Sequence, residues 1–403
     1  MRLAAPVLAA LSLAATLGAL EGVMRWRLPA DERAALPHVG ASNELEHRLD
    51  WAERSHTTDG ASWEFDVPDP LLGWRPRAGV HARSVHPGSY DVMNTIDAQG
   101  LRGVRDARHE KTPGLTRVAV FGCSQTFGSG VADDETFSAR LEAGLPGIEV
   151  LNFGVHGYGT DQMLLRYERE GASYAPDIVV LAFAYYHLER NVTAFRFFAK
   201  PYFLLEPNGG LRLMGVPVLG PEELMREGTP TPPWPLADHS IVARWLWERE
   251  LRRRNDALYH EGTPAWDVTR AIMTRFADEV HRHGARMVLL NIDEDAPWLT
   301  EPLSRLATEL GIDWADAGPR LGALRGQGVR LRLPRDPHWN PQGHAVIAEV
   351  LRERLCTPPA LAGCSETDPR RSLGSVFSSL GRLGSRSAGS ARPGGRAGAR
   401  PSG

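Results

Sequence analysis

Three side chains in this 403-residue sequence make a nucleophile. Ser124 stands in Val118-Ala-Val-Phe-Gly-Cys-Ser124-Gln-Thr-Phe-Gly128, an apolar run that breaks into a glycine-flanked turn. Asp336 and His338 lie far downstream in Asp336-Pro-His338-Trp-Asn-Pro-Gln-Gly-His344. A serine hydroxyl is a weak nucleophile until a base takes its proton, and histidine, with an ordinary pKa of ~6.5, can do so at neutral pH. A carboxylate two residues from the histidine can bond its other ring nitrogen and stabilise the imidazolium that forms. The chemistry implied is acyl transfer or ester hydrolysis.

The elements that must position these groups alternate from Arg117 onward. Strands are expected at Arg117–Phe121, Glu149–Phe153, Asp177–Phe183, Ala285–Ile292 and Ile312–Ala315. Helices are expected at Glu135–Ala143, Asp161–Gly171, Asp267–His283, Leu299–Leu310 and Pro341–Leu355. Near-continuous Val/Leu/Ile strands separated by amphipathic helices predict an α/β fold, a parallel sheet of about five strands covered by helices on both faces. In such a sheet, chemistry gathers beyond the carboxyl ends of the strands. Ser124 follows the first core strand there, with Gly122 and Gly128 allowing a tight turn, and its own backbone N–H is placed to bind a developing oxyanion.

The loop Asn152-Phe-Gly-Val-His-Gly157-Tyr-Gly-Thr-Asp161 leaves the second strand on the same edge. Gly157 is a candidate second backbone donor, His156 reads as a structural loop histidine, and Thr160 or Asp161 is placed to cap the next helix. Asn340-Pro341 is a helix start, a capping residue followed by proline at the first helical position, and His344 reads as structural.

Around this core (111–356) the sequence divides into further parts. Leu3–Leu20 is uncharged and mostly apolar, about 27 Å as a helix at ~1.5 Å per residue. Residues 1–27 are therefore read as a signal anchor or a signal peptide, the anchor favoured because no small-x-small cleavage site precedes Glu21. The body is expected on the extracytoplasmic, periplasmic side, or secreted if the segment is cleaved. Residues 28–110 are polar and punctuated by Pro and Gly, an irregular N-terminal extension in which Tyr90-Asp-Val-Met-Asn-Thr-Ile-Asp reads as a short strand. Residues 195–265, with clustered prolines, Trp234, Trp245 and Trp247 and a charged helix at Arg244–Arg254, read as an inserted cap or lid. Residues 366–403 are rich in Gly, Ser and Arg and read as a disordered tail.

A net charge of −3 and the lack of a basic stripe argue against nucleic acid as a partner. The three cysteines form no CxxC pair and the histidines no HExxH, so neither metal nor cofactor is expected. Cys356 and Cys364 are either a disulfide of an exported protein or two surface thiols, and Cys123 reads as a small buried side chain.

At these residues the chain resembles the SGNH/GDSL hydrolase superfamily, in particular its membrane-anchored bacterial branch. Gly122-Cys-Ser124-Gln resembles the family's serine block, Asn152–Gly157 its glycine block, and Asp336-x-His338-Trp-Asn its final block. Asp69-Pro-Leu-Leu-Gly-Trp and Gly100-Leu-Arg-Gly resemble the extension typical of that branch. The resemblance implies a three-layer α/β/α sandwich with a flavodoxin-like sheet. It also implies Ser124 as nucleophile and oxyanion donor, Gly157 as second donor, His338 as base and Asp336 as its partner. Two positions depart from the family. Cys123 stands where the family has aspartate, and an ungapped reading of Phe183-Ala-Tyr-Tyr186-His187-Leu-Glu-Arg-Asn191 puts Tyr186 at the family's oxyanion asparagine. Tyr186, His187 and Asn191 are the candidate replacements.

The expected function is a membrane-anchored serine esterase acting on a short acyl ester, such as O-acetyl groups of a cell-surface or exported polysaccharide. An O-acyltransferase using the same triad is one alternative. A non-catalytic carbohydrate-binding or assembly protein on a decayed hydrolase scaffold is another.

Overall fold

The computed structural model describes residues 4–27, 65–221, 223, 240, 242–243, 259–357, 361 and 364. Its centre is a five-stranded parallel sheet of β5 (Thr116–Gly122), β6 (Ile148–Gly154), β7 (Ile178–Phe183), β10 (Arg286–Asn291) and β11 (Asp313–Asp316). These strands lie in the order β11-β10-β7-β5-β6. Counted within the sheet this is 5-4-3-1-2, the flavodoxin-like winding, whose switch point falls between β5 and β7.

Strand composition explains the layers. Val118 and Val120 of β5, Val180 and Ala182 of β7, and Val288 and Leu290 of β10 enter one core. Ala119 and Phe121, Val179 and Leu181, and Met287 and Leu289 enter the other. Both faces are thus buried, and the strands read as unbroken apolar runs. On the first face lie α3 (Phe137–Gly144), α8 (Gly318–Gly326) and α9 (Pro341–Leu355), through Phe137, Leu141, Leu321, Ile347 and Leu351. On the second lie α4 (Thr160–Arg169), α6 (Pro264–Arg282) and α7 (Thr300–Glu309), through Met163, Leu164, Ile272, Phe276 and Leu303. The sheet and these helices form the expected three-layer sandwich.

The part read as irregular, 28–110, contains ordered pairs within its described residues. β1 (Asp66–Asp69) pairs with β2 (Gly73–Pro76), and β3 (Val80–His86) pairs with β4 (Tyr90–Ile96), both antiparallel. Along β3 and the first half of β4 exposed and half-buried residues alternate, and of β4 only Asn94 and Ile96 are buried, so the apolar signal that marks a strand is weak there. The Asp69–Pro76 segment anchors on the sandwich through Trp74, whose Nε1 donates to the His156 carbonyl at 2.8 Å. Of the insertion 195–265, the hairpin β8 (Tyr202–Leu205) and β9 (Leu211–Met214) is described, and it lies against α6. The charged helix expected at 244–254, the segment 28–64 and the tail 366–403 lie outside the described residues.

Lys200 fixes the root of that insertion. It is fully buried, pairs with Asp161 and donates to the carbonyls of Arg190 (2.9 Å), Thr193 (3.1 Å) and Pro201 (2.8 Å). Asp161 was expected as a helix cap, as was Thr160. The cap of α4 is instead Gly159, where an added Cβ would stand 2.5 Å from Asp161 Oδ1. Burial raises the Asp161 carboxyl above its ordinary value, against the lowering effect of the Lys200 ammonium.

At the N-terminus α1 (Ala4–Arg27) is one continuous helix that passes Glu21. Glu21 accepts hydrogen bonds from Ser240 Oγ (2.9 Å) and Val242 N (3.0 Å) of the insertion. Judged on the described residues, no helix is long and apolar enough to cross a membrane. Cys356 and Cys364 form a disulfide after α9.

Candidate active site

β5 ends at Gly122 because the next residues turn at once into α2 (Ser124–Phe127), a single helical turn. A side chain at 122 would put its Cβ 1.9 Å from Thr126 Oγ1, and one at Gly154 would stand 2.2 Å from Phe127 N. Glycine at both strand ends lets α2 sit directly on the sheet edge. Gly128 closes the turn at φ +88°, in the left-handed region that glycine adopts without strain. Two side chains take the carbonyls left open at the end of this turn. Asn152 Nδ2 donates to Thr126 O at 2.8 Å, and Arg102 Nε donates to Phe127 O at 3.1 Å.

The second half of the site is the loop before α9. Asn340 caps that helix, its Oδ1 accepting from Gln342 N and Gly343 N, both at 3.0 Å. Trp339 is buried and donates from Nε1 to Ile292 O at 3.1 Å. Between these anchors, His338 points its ring at α2. Its Nε2 lies 2.8 Å from Ser124 Oγ, and its Nδ1 lies 2.6 Å from Asp336 Oδ1. Asp336 Oδ1 also accepts the His338 backbone N–H at 2.8 Å, so one carboxylate oxygen sets both the loop and the ring. With the proton on Nδ1 facing Asp336, Nε2 is free to accept from the serine. Burial alone would raise the Asp336 carboxyl. The hydrogen bonds from the His338 ring and backbone hold it below its ordinary value. The three residues picked from the sequence are therefore brought together in hydrogen-bond contact.

The remaining candidates divide. Gly157 follows β6 on the same edge, at φ +71°, where an added Cβ would meet the Phe197 ring at 2.4 Å. Among the described residues neither the Gly157 nor the Ser124 backbone N–H has an acceptor. Tyr186 is directed elsewhere: its hydroxyl lies 3.4 Å from the sulfur of buried Cys123, with the Arg190 guanidinium 4.3 Å from its ring centroid. Burial raises its pKa well above the ordinary phenol value, with the neighbouring Cys123 adding to the shift, and so keeps the proton on the hydroxyl.

Asn191 is not available as a replacement donor. Its Nδ2 donates to Thr269 Oγ1 at 2.8 Å and its Oδ1 accepts Asp161 N at 3.2 Å, so the amide is spent inside the protein. His187, which opens the short turn α5 (His187–Arg190), is buried as well, with Nδ1 accepting the Ala184 N–H at 3.3 Å; burial, with the nearby Arg190 charge, lowers its pKa well below normal and keeps it neutral.

The two other histidines of the motifs are structural, as read. His156 Nδ1 bonds Asp66 Oδ2 at 2.9 Å, and its ring lies 4.1 Å from that of Phe127. His344 Nδ1 accepts Phe137 N at 3.2 Å inside the core.

Three side chains that support the site were not singled out from the sequence. Gln125, beside the nucleophile, accepts Trp339 N at 3.0 Å and donates to Pro337 O at 3.3 Å, touching the His338 loop on both sides. Asn152 and Arg102 hold the other end of α2. The Ser-Gln adjacency, the glycine block that Asn152 opens and the Gly100-Leu-Arg-Gly motif each hinted at one of them. The same sheet edge carries buried Asp293 after β10, whose carboxyl burial pushes up to about 6. Among the described residues no cluster of His, Cys, Asp and Glu is arranged to hold a metal ion.

No family model matches this chain, and no curated protein sequence matches it. Solved structures do. One is a member of the lipolytic protein G-D-S-L family from Veillonella parvula, at 13% identity, covering 60% of this chain and 100% of that one, with a TM-score of 0.33. A second is TesA, at 15% identity, 61% and 100% coverage and a TM-score of 0.35. A third is a catalytic mutant of Axe2, an acetylxylan esterase from Geobacillus stearothermophilus, at 12% identity, 63% and 100% coverage and a TM-score of 0.34. The structural neighbours of this chain include lipolytic G-D-S-L proteins.

Proposed function

We propose that this protein is a serine ester hydrolase of the SGNH/GDSL type. The observation that carries the reading is the continuous relay Asp336–His338–Ser124, with contacts of 2.6 and 2.8 Å. Ser124 Oγ attacks the ester carbonyl while His338 Nε2 takes its proton, and Asp336 stabilises the imidazolium through Nδ1–H. The tetrahedral oxyanion is received by the backbone N–H groups of Ser124 and Gly157. Collapse expels the alcohol, which carries away the proton from His338 and leaves an acyl group on Ser124. Water then attacks this acyl-enzyme, giving its proton to His338; the second collapse releases the acid and returns the proton to Ser124.

A relay kept in register across more than two hundred residues speaks against a decayed, non-catalytic scaffold. The proposed substrate is a short acyl ester, O-acetyl on a cell-surface or exported polysaccharide. The proposed location is outside the cytoplasm. The Cys356–Cys364 disulfide supports an oxidising compartment.

The test is covalent labelling with a fluorophosphonate together with p-nitrophenyl acetate turnover. Wild type should do both and Ser124→Ala neither. Equal behaviour of the two proteins in both assays rejects the hydrolase.

A further inference from the structure

The nucleophile's turn is held from outside the sandwich. Arg102, in the N-terminal extension, has a side chain only 1% exposed, inserted behind α2. Its guanidinium donates from Nε to Phe127 O (3.1 Å), from Nη2 to Val131 O (3.1 Å) and from Nη1 to Thr95 O (3.3 Å). It also pairs with Asp133 and lies 4.9 Å from the Phe127 ring centroid. Phe127 is the last residue of the turn that begins with Ser124, so the guanidinium fixes both the turn and the loop that leaves it.

The neighbouring residues of the extension grip the same loop. Asn94 Nδ2 donates to Val131 O at 3.1 Å, Thr95 N and Oγ1 donate to Asp133 at 3.0 and 2.6 Å, and the Tyr90 ring packs where Gly130 leaves room. Arg102 is itself fixed by its backbone, which donates to Asn152 O at 3.1 Å, while the Asn152 side chain holds Thr126 O. A planar guanidinium with its donors in a fixed fork is suited to three carbonyls at once; an ammonium is a point charge and is not. A cavity of about 660 Å³ opens beside Arg102, Asp133 and Asn152.

We infer that Arg102 is a positioning residue for the reaction: through the Phe127 and Val131 carbonyls it sets the place of Ser124 relative to His338, making the N-terminal extension part of the catalytic apparatus. This rests on the reading of Ser124 as the nucleophile. Displacing a reacting group by about 1 Å can cost on the order of 10²-fold in rate. The effect should therefore fall on the chemical step and not on substrate capture.

The experiment uses the full chain, with rates taken per folded molecule well below the melting temperature. For Arg102→Met, kcat for p-nitrophenyl acetate and the rate of fluorophosphonate labelling should fall together, by roughly 10- to 100-fold. KM should stay within about threefold, and Arg102→Lys should lie between wild type and Arg102→Met, since loss of carbonyl contacts rather than of charge governs the result. Labelling rates within about twofold of wild type in both variants would overturn the inference and leave Arg102 a purely stabilising residue. If Arg102→Met does not fold, Asp133→Asn decides in its place. It removes the carboxylate that aligns the guanidinium, so slowing of about threefold or more supports the inference and an unchanged labelling rate overturns it. Should wild type fail to label at all, or Ser124→Ala label equally, it is the hydrolase reading that fails, an outcome distinct from both.

Discussion

Gln125 Oε1 accepts the backbone N–H of Trp339 at 3.0 Å, joining the nucleophile's own turn to the loop that carries the base. The two residues are 214 positions apart in the chain, and each is a direct neighbour of a relay member. Because Gln125 Nε2 also donates to Pro337 O, the amide spans His338 in sequence and resists rotation of its loop. Replacing Gln125 by Leu keeps the bulk and deletes both contacts. Leaving the buried Trp339 N–H unpaired should cost about 1–3 kcal/mol in urea denaturation. The looser loop should lower kcat/KM on p-nitrophenyl acetate about tenfold. Unchanged kinetics would show that the loop is held by Trp339 and Asn340 alone.

Tyr186→Phe separates two accounts of the oxyanion hole. Loss of a true oxyanion donor costs typically ~10²–10³ in kcat. The Tyr186 hydroxyl faces Cys123 Sγ, so its removal is expected to change turnover by less than about threefold. A drop of a hundredfold would place the hydroxyl on the reacting oxygen after all.

Acid stability follows from His344. Burial, aided by the nearby Arg140 and Arg102 charges, lowers its pKa to about 3, and its Nδ1 must stay unprotonated to accept Phe137 N. In the unfolded chain the same imidazole protonates near ~6.5. The unfolded state therefore binds the extra proton first. Stability should be lost progressively as pH falls from ~6.5 toward about 3, at up to ~1.4 kcal/mol per pH unit from this group. Buried His187, also lowered, contributes with the same sign. The measurement is the urea midpoint between pH 7 and 5, and His344→Gln should flatten its slope.

Lys200→Met should be among the most damaging single changes in the chain. It leaves the Asp161 carboxyl buried without its cation, a loss of about 3–5 kcal/mol by the usual cost of breaking a buried pair. Adding Asp161→Asn should restore more than half of that stability in chemical denaturation. If the double variant is no better than the single, the ammonium matters for its three carbonyl contacts and not for its charge.

The sandwich was legible because its strands are buried on both faces and its helices are amphipathic. The closing helix was read at Pro341–Leu355, where Asn340 and Pro341 mark the start, and it forms with those bounds. The helix Gly318–Gly326 was missed, since its glycines at 318, 322 and 326 hide any helical preference. The hairpin β3–β4 was half seen, because its pairing depends on a partner strand and not on a run of apolar residues.

In the site, the serine, histidine and aspartate were readable as types of residue at suggestive places. Their supports were not: Arg102, Gln125 and Asn152 act by hydrogen bonds to carbonyls and amides that only the folded backbone brings within reach. Asn191 misled for the same reason. A nearby asparagine looked free to donate, but its amide is committed to Thr269 and Asp161.

The strand β6 closes one side of the sheet, and its outer border is not bare. Val150 N donates to Glu142 Oε2 at 2.6 Å, and Asn152 O accepts Arg102 N at 3.1 Å. An unpaired strand border is a template on which another chain can add itself. Here the border is occupied by a carboxylate from one helix and by the backbone of the extension. Shortening the chain to a minimal sandwich that starts after Arg105 should therefore do more than silence the serine: it would uncover a self-pairing surface, and the product should be recovered as aggregate.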